Sequence, residues 1–408
     1  MGPDRAGPGP AEGDAVTGRA MATVPVDASP SSVHALAAAL RHATDGSGPA
    51  VRPVPVSGPH VPVPDRTVPD DVAVVVATSG SSGAAKHVLL SADALRASAS
   101  ATEQRLGGPG HWLLALPAEH VAGVQVVLRA LLAGTAPVVQ DLRDGFRQDG
   151  FARAVAELPA GARRYTSLVP TQIARILDTG PGAAREALAS FDAVLVGGAA
   201  LDPGLRRRAE DAGVSVVTTY GMSETCGGCV YDGVALDGVS VEIEAPDTAG
   251  AGRVLLGGAV VAAGYLDPAD DDGAFDGGRF RTGDLGRLTD GRLTVLGRAD
   301  DMINTGGEKV APAAVERALL GVPGVRAACV TGLADARWGQ IVAALVVADT
   351  GADDETLRSA VRTASGRAAV PRVLRRVERI PERGIGKPDR AAAARLLFGG
   401  DATGARSR

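Results

Sequence analysis

The chain is poor in the residues that mark special environments. Three cysteines in 408 residues, Cys226, Cys229 and Cys329, are too few for a disulfide framework and agree with a reducing cytoplasm. Cys226-Gly-Gly-Cys229 is a lone C-x-x-C with no second ligand pair, so it reads as placement in a glycine-rich loop rather than as a zinc or redox motif. No apolar run approaches the roughly 20 residues of a membrane span, and nothing near the amino terminus resembles the apolar core of a signal peptide. An excess of one charge is missing too. The 42 basic and 47 acidic residues give a net charge of −5 without a basic block, which argues against nucleic acid and anionic membranes as partners. Internal repeats are absent. What is left, 45% hydrophobic and 22% charged, is an ordinary globular composition with length enough for two or three domains. Residues 1–30, rich in Gly, Pro and Ala, read as a disordered leader, with Met21 as an alternative start.

The informative stretch runs from Asp71 to Ser91. Residues 72–77 are apolar and β-branched, as in a buried, parallel strand. They break into Thr78-Ser79-Gly80-Ser81-Ser82-Gly83, followed by Lys86. Glycines turn the backbone sharply and present N–H groups to one concavity, hydroxyls add donors, and the lysine adds charge: the chemistry of a polyphosphate cradle. Gly83-Ala84-Ala85-Lys86 departs from the Walker spacing, which disfavours that class of NTPase.

Along the rest of the chain, a strand, a polar or glycine-rich loop and a helix recur at least four times. Strands are predicted at 112–116, 164–170, 191–196 and 214–219, and helices at 31–45, 91–102, 124–133 and from about 171. This pattern belongs to a parallel α/β sheet whose ligands sit at the carboxyl ends of the strands. Residues 46–70, rich in Pro and Val, read as an extended connector. From about 239 the pattern changes to short strands with Gly-Asp turns, a small β-rich subdomain. After Asp300 a compact α+β domain is predicted to about 398, followed by a tail over 399–408.

Five loops carry chemistry together. Beside the 78–86 cradle, Gly197-Gly198-Ala199 would let a flat ring lie against backbone. Thr219-Tyr220-Gly221-Met222-Ser223-Glu224 offers an aromatic for a purine, a glycine for close approach and a carboxylate for Mg²⁺. Asp284, in Arg281-Thr282-Gly283-Asp284, suits ribose hydroxyls. The fifth loop runs from Gly297-Arg298-Ala299-Asp300 into Gly306-Gly307.

In this order the loops resemble the adenylate-forming superfamily of acyl-CoA synthetases, luciferases and peptide-synthetase adenylation domains, over residues 72–398. TSGSSGAAK is similar to its T-S-G-[ST]-[ST]-G-x-x-K, with Ala85 where a proline usually stands, YGMSE to its Y-G-x-[ST]-E, RTGD to its T-G-D and GRADDMI to its hinge motif. PERGIGK resembles its terminal P-x-x-x-x-G-K. Residues 166–172, 195–200 and 221–239 bring the likeness to the o-succinylbenzoate–CoA ligases of menaquinone biosynthesis, in their short actinobacterial form.

The resemblance implies a large amino-terminal domain over 31–299 and a small mobile carboxy-terminal domain over 300–398, pivoting at Asp300. It implies ATP, Mg²⁺ and CoA, and small-molecule substrates including an aromatic dicarboxylic acid; a homodimer is compatible with it. Lys387 would be the catalytic lysine, Glu224 the metal carboxylate, Asp284 and Arg298 the ribose and phosphate residues, and Tyr220 the adenine stack. His120 would stand beside the acyl pocket, with Ser167, Thr171, Gln172, Gly198, Gly221 and Ser223 lining it and Arg175 as counter-charge. Gly306 and Gly307 would border the pantetheine tunnel. Two further readings stay open: a ligase of the same machinery for another acid, and a non-catalytic adenylate-binding regulator.

Overall fold

The computed structural model describes residues 18–56, 67–78, 86–349, 351–383 and 387–398. Two sheets form the large domain. The first has five strands in the order Met21–Val26, Ala50–Pro55, Val72–Ala77, His87–Ser91 and Gly264–Tyr265. Its first three strands are parallel and the last two antiparallel. The crossover helix Pro30–Asp45 forms because Ser29 accepts a hydrogen bond from Ser32 N–H at its start, Pro30 occupies the first turn, and Gly46 at φ 82° ends it. Val33, Leu36, Ala37, Leu40 and Ala43 make its buried stripe.

The second sheet is continuous from one side of the domain to the other. Its parallel half runs Val138–Val139, His111–Leu114, Arg164–Leu168, Ala193–Val196, Val216–Met222. Its antiparallel half continues through Gly227–Tyr231, Val234–Ala235, Arg292–Arg298, Arg279–Thr289 and Ala251–Gly258 to Val239–Glu244. Alternation along the parallel strands feeds two cores. Trp112, Leu114, Tyr165 and Leu195 join the one under the helices Pro30–Asp45, Ala92–Leu106 and Val121–Leu132. Leu113, Leu168, Val194 and Val196 join the core on the opposite face.

Four expectations change. Residues 21–26 are a strand rather than leader, and Arg19 ahead of them donates to the carbonyls of Ala43, Gly48 and Val72; residues 1–17 lie outside the described residues. Part of the expected connector is the strand Ala50–Pro55, which tolerates Pro53 because its pairing to Val72–Ala77 is confined to Val51↔Val74. Val72–Ala77 is parallel on that side only; on the other it pairs with the antiparallel strand His87–Ser91. From 239 to 298 the strands extend the second sheet, apart from Gly264–Tyr265 in the first, instead of forming a separate unit.

The small domain is built on the sheet order Glu308–Val310, Ile303–Thr305, Gly339–Ala348, Val325–Asp335, with Val373–Arg376 parallel to Gly339–Ala348. The helices Pro312–Leu320 and Asp354–Ser365 cover one face and Arg390–Phe398 the other.

Gly123 shows how tightly helix and strand end meet: a methyl group there would stand 2.2 Å from the Pro117 carbonyl oxygen and 2.7 Å from Ala118 Cα. Gly123→Ala should therefore lower stability by about 1–3 kcal/mol, seen in urea as an earlier midpoint with an unchanged slope.

Candidate active site

The site forms where the parallel strands end. Leu114 leads to His120, Leu168 to Thr171, Val196 to Gly197 and Met222 to Ser223. Bare backbone lets these ends close on one another. A methyl on Gly197 would stand 2.5 Å from Thr219 Oγ1, and Gly198, at φ +78°, lies against Val169. A methyl on Gly221 would stand 2.0 Å from the Gly227 carbonyl oxygen. Buried Thr225 closes this turn, its hydroxyl donating to the Gly227 carbonyl at 2.9 Å and accepting from Met222 N–H at 3.1 Å. Gly197, Gly198, Ala199, Thr219, Gly221, Met222 and Ser223 thus lie at the ends of adjacent strands.

Glu224 is buried on this turn, and Tyr265 O–H donates to its Oε1 at 2.9 Å. Burial first, and Glu224 second, push the Tyr265 phenol far above its ordinary range, so it remains a donor. Lys86 lies over the other face of this ring, its Nζ 4.7 Å from the centroid and donating to the Asp270 carbonyl at 2.6 Å. Thr78 and Lys86 pair across the mouth of the cradle, Thr78 N–H donating to the Lys86 carbonyl at 2.8 Å. Ser79, Gly80, Ser81, Ser82 and Gly83 lie outside the described residues. Sequence reasoning missed Tyr265. Its signal was compositional, since the chain has only four tyrosines.

A second acidic group sits on the neighbouring strands. Tyr220 O–H donates to Asp284 Oδ2 at 2.8 Å, while Asp284 N–H donates to Thr282 Oγ1 at 3.0 Å. Burial and then Asp284 raise the Tyr220 phenol well above its usual range. Tyr220 accordingly orients this carboxylate as well as presenting a ring. Asp284 stands opposite Arg298 in the ladder, and Arg298 forms a two-point pair with Asp300 at 2.8 and 3.1 Å. The residue expected to pivot thus holds the arginine expected to reach the nucleotide.

The acyl-side residues separate. His120 is half-buried at the start of the helix Val121–Leu132. Ser167 is buried near the end of its strand, and Thr171 opens the helix Pro170–Asp178. Gln172 is a clamp: its Oε1 accepts from Val169 N–H at 2.9 Å and its Nε2 donates to the Ala115 carbonyl at 2.7 Å, tying two strand ends together. Arg175 is exposed one turn along that helix and is not drawn into the group. Gly306, at φ +60°, packs on Trp338 with Gly307 beside it, and the Arg337 and Arg372 guanidiniums lie 5.3 and 4.3 Å from that ring. Lys387 begins the second strand of a hairpin opposite Arg383; Gly384, Ile385 and Gly386 of its motif lie outside the described residues. The chain holds only three lysines: Lys86 at the mouth of the cradle, Lys309 on the strand Glu308–Val310 that follows Gly306 and Gly307, and Lys387. Cys226 and Cys229 are buried, and burial raises both thiols, Cys229 to about 12, so neither offers a thiolate.

Residues 14–266 match the family model described as AMP-binding enzyme, and residues 314–387 match AMP-binding enzyme C-terminal domain. A Mycobacterium tuberculosis protein named "Probable 2-succinylbenzoate--CoA ligase" is 47% identical over 370 residues, covering 88% of this chain and 94% of that protein. The 2-succinylbenzoate–CoA ligase of Bacillus licheniformis is 30% identical, covering 78% of this chain and 69% of that protein. Among solved structures, the amide bond synthetase McbA of Marinactinospora thermotolerans superposes with a TM-score of 0.72 at 28% identity, covering 92% of this chain and 80% of that one. The Bacillus subtilis o-succinylbenzoate CoA synthetase bound to its acyl-adenylate gives 0.68 at 24%, covering 88% and 75%.

Two measurements check the site. Tyr265→Phe leaves the buried Glu224 carboxylate without its donor and should cost about 1–3 kcal/mol of stability in a denaturant titration. Cys329 is also buried, with its thiol raised to about 12. Iodoacetamide at pH 8.5 should therefore label none of the three cysteines in the folded chain and all three in denaturant, as counted by mass spectrometry.

Proposed function

Because this chain belongs to the AMP-binding enzyme family, the adenylate-forming enzymes that its motifs resemble, we propose that it ligates 2-succinylbenzoate to CoA at the expense of ATP. It is an AMP-forming acid–thiol ligase that gives o-succinylbenzoyl-CoA, AMP and pyrophosphate in menaquinone biosynthesis. The acid is read from the likeness to the mycobacterial relative, which runs nearly the whole length of both chains. The observation that carries the chemistry is that the 220–224 segment ties into two oriented acidic groups, Tyr265 donating to Glu224 and Tyr220 to Asp284.

In the first half-reaction a carboxylate oxygen of the acid attacks the α-phosphorus of ATP. The bond to the bridging oxygen breaks and pyrophosphate leaves. In the second, the CoA sulfur attacks the acyl carbon, the acyl–oxygen bond breaks, AMP leaves and the thiol proton passes to solvent. No protein nucleophile is needed, so catalysis is positioning and charge stabilisation. Asp284 accepts hydrogen bonds from the ribose hydroxyls, with Tyr220 fixing its orientation. Lys86 and the cradle guide pyrophosphate. Lys387 bridges the attacking carboxylate and the α-phosphate as a compact charge. His120 and Ser167 border the acyl group.

Magnesium fits the residues present. Among the described residues no three His, Cys, Asp or Glu side chains cluster as a cage. One buried carboxylate, with a single oxygen engaged by Tyr265, matches the way this ion is held by one protein ligand and substrate phosphates. Glu224 would hold it; the ion supplies charge neutralisation at the phosphates.

Asp300 is the pivot that exchanges Lys387 for the Gly306–Gly307 loop between half-reactions. Among the described residues no helix is long and apolar enough to cross a membrane, and cytoplasmic turnover agrees with the demand for ATP and CoA.

Purified protein should form a CoA thioester from o-succinylbenzoate, and not from benzoate, a fatty acid or an amino acid. Lys387→Ala should slow adenylation about 10²–10³-fold while leaving thioester formation from supplied acyl-adenylate nearly intact. Turnover of a different acid would keep the chemistry and replace the substrate; nucleotide binding without turnover of any acid would favour a regulator.

A further inference from the structure

The helix that starts at His120 carries just two polar residues beyond its first turn, Gln125 and Arg129, on one face four residues apart. Both are buried, at 1% and 6% exposure. Among the described residues neither the Nε2 nor the Oε1 of Gln125 has a hydrogen-bond partner, and the Nε of Arg129 has none either. Arg129 donates to Tyr231 O–H at 3.4 Å and lies 5.1 Å from the Trp112 ring; among the described residues no carboxylate is a partner. A buried amide with both ends unpaired is costly, and so is a buried cation without a counter-ion. The two costs stand one helical turn apart.

The amide is also in the right place. A methyl on Gly227 would come within 3.5 Å of Gln125 Cγ, so this side chain lies directly against the turn that carries Gly221, Ser223 and Glu224. Five residues separate it from His120, about 7.5 Å along the axis, close to the roughly 7 Å that six bonds put between the two carboxyl carbons of an ortho-succinylated benzoate.

We propose that Gln125 is a specificity residue: its amide N–H groups receive the carboxylate of the substrate that is not activated, with the buried charge of Arg129 behind it favouring an anion there. The proposal rests on the dicarboxylic acid read above. It explains why a polar pair persists on a helix whose neighbours are Val124, Val126, Val127 and Leu128, all at most 2% exposed. The ring carboxylate or the aliphatic one would be matched by the same chemistry.

The test compares wild type with Gln125→Leu and Gln125→Glu, reading KM for o-succinylbenzoate, KM for ATP, and the melting temperature without ligands. Gln125→Leu should raise KM for the acid tenfold or more, leave KM for ATP within twofold, and melt no lower than wild type, because an unpaired amide has gone. Gln125→Glu, which sets one anion against another, should be worse for the acid. An acid KM within twofold of wild type in Gln125→Leu, or parallel losses in both KM values with a lower melting temperature, would reduce Gln125 to packing and overturn the proposal. Wild type that ignores o-succinylbenzoate but turns over a monocarboxylic acid would remove the substrate reading and this role with it. Wild type active on o-succinylbenzoate beside an unaffected Gln125→Leu would remove the role alone.

Discussion

Two stretches of main chain touch at Gly221 and Gly227 with no room for a single additional carbon. The site hangs on this contact. It sets the turn that places Tyr220 on one side and Glu224 on the other, with Thr225 locking the turn from beneath. The two phenols then each restrain one acid, Tyr220 on Asp284 and Tyr265 on Glu224. Both pairings rely on burial, which keeps the phenols protonated. A carboxylate oriented before substrate arrives need not be reorganised during reaction, which is how preorganised electrostatics lowers a barrier.

The Arg298–Asp300 pair has the opposite character. Its side chains are about half exposed, and such surface pairs contribute roughly 0–1 kcal/mol. A weak clasp suits a hinge. On the roles proposed for Arg298 and Asp300, nucleotide that competes for the arginine would loosen its hold on Asp300 and so couple nucleotide binding to the proposed movement of the small domain. The buried pairs fix geometry while the exposed pair lets it change.

How much of this was readable beforehand depended on the kind of signal. The glycine and hydroxyl loops could be found because their backbone demands exclude most side chains, as at Gly197 and Gly221. The parallel strands were marked by residues buried on both faces, such as Val194 and Leu195. Direction was not: residues 72–77 are apolar on every side, so nothing in them told an antiparallel neighbour from a helix. Pro53 hid a strand whose pairing toward Val72–Ala77 leaves that position idle. Tyr265 meets Glu224 across 41 residues of sequence. No local spacing encodes such a meeting, only the closing of two sheets around one edge.

The scarcity of lysine has a practical side. Arginine supplies nearly all the positive surface of this chain, leaving Lys86, Lys309 and Lys387 as its only side-chain amines. Any reagent or metabolite that acylates amines would therefore meet the chain start or one of these three side chains, each in or next to a motif of the proposed site, and almost nothing between. In an enzyme whose own intermediate is a reactive acyl-adenylate, a surface stripped of amines offers escaping intermediate few groups to modify.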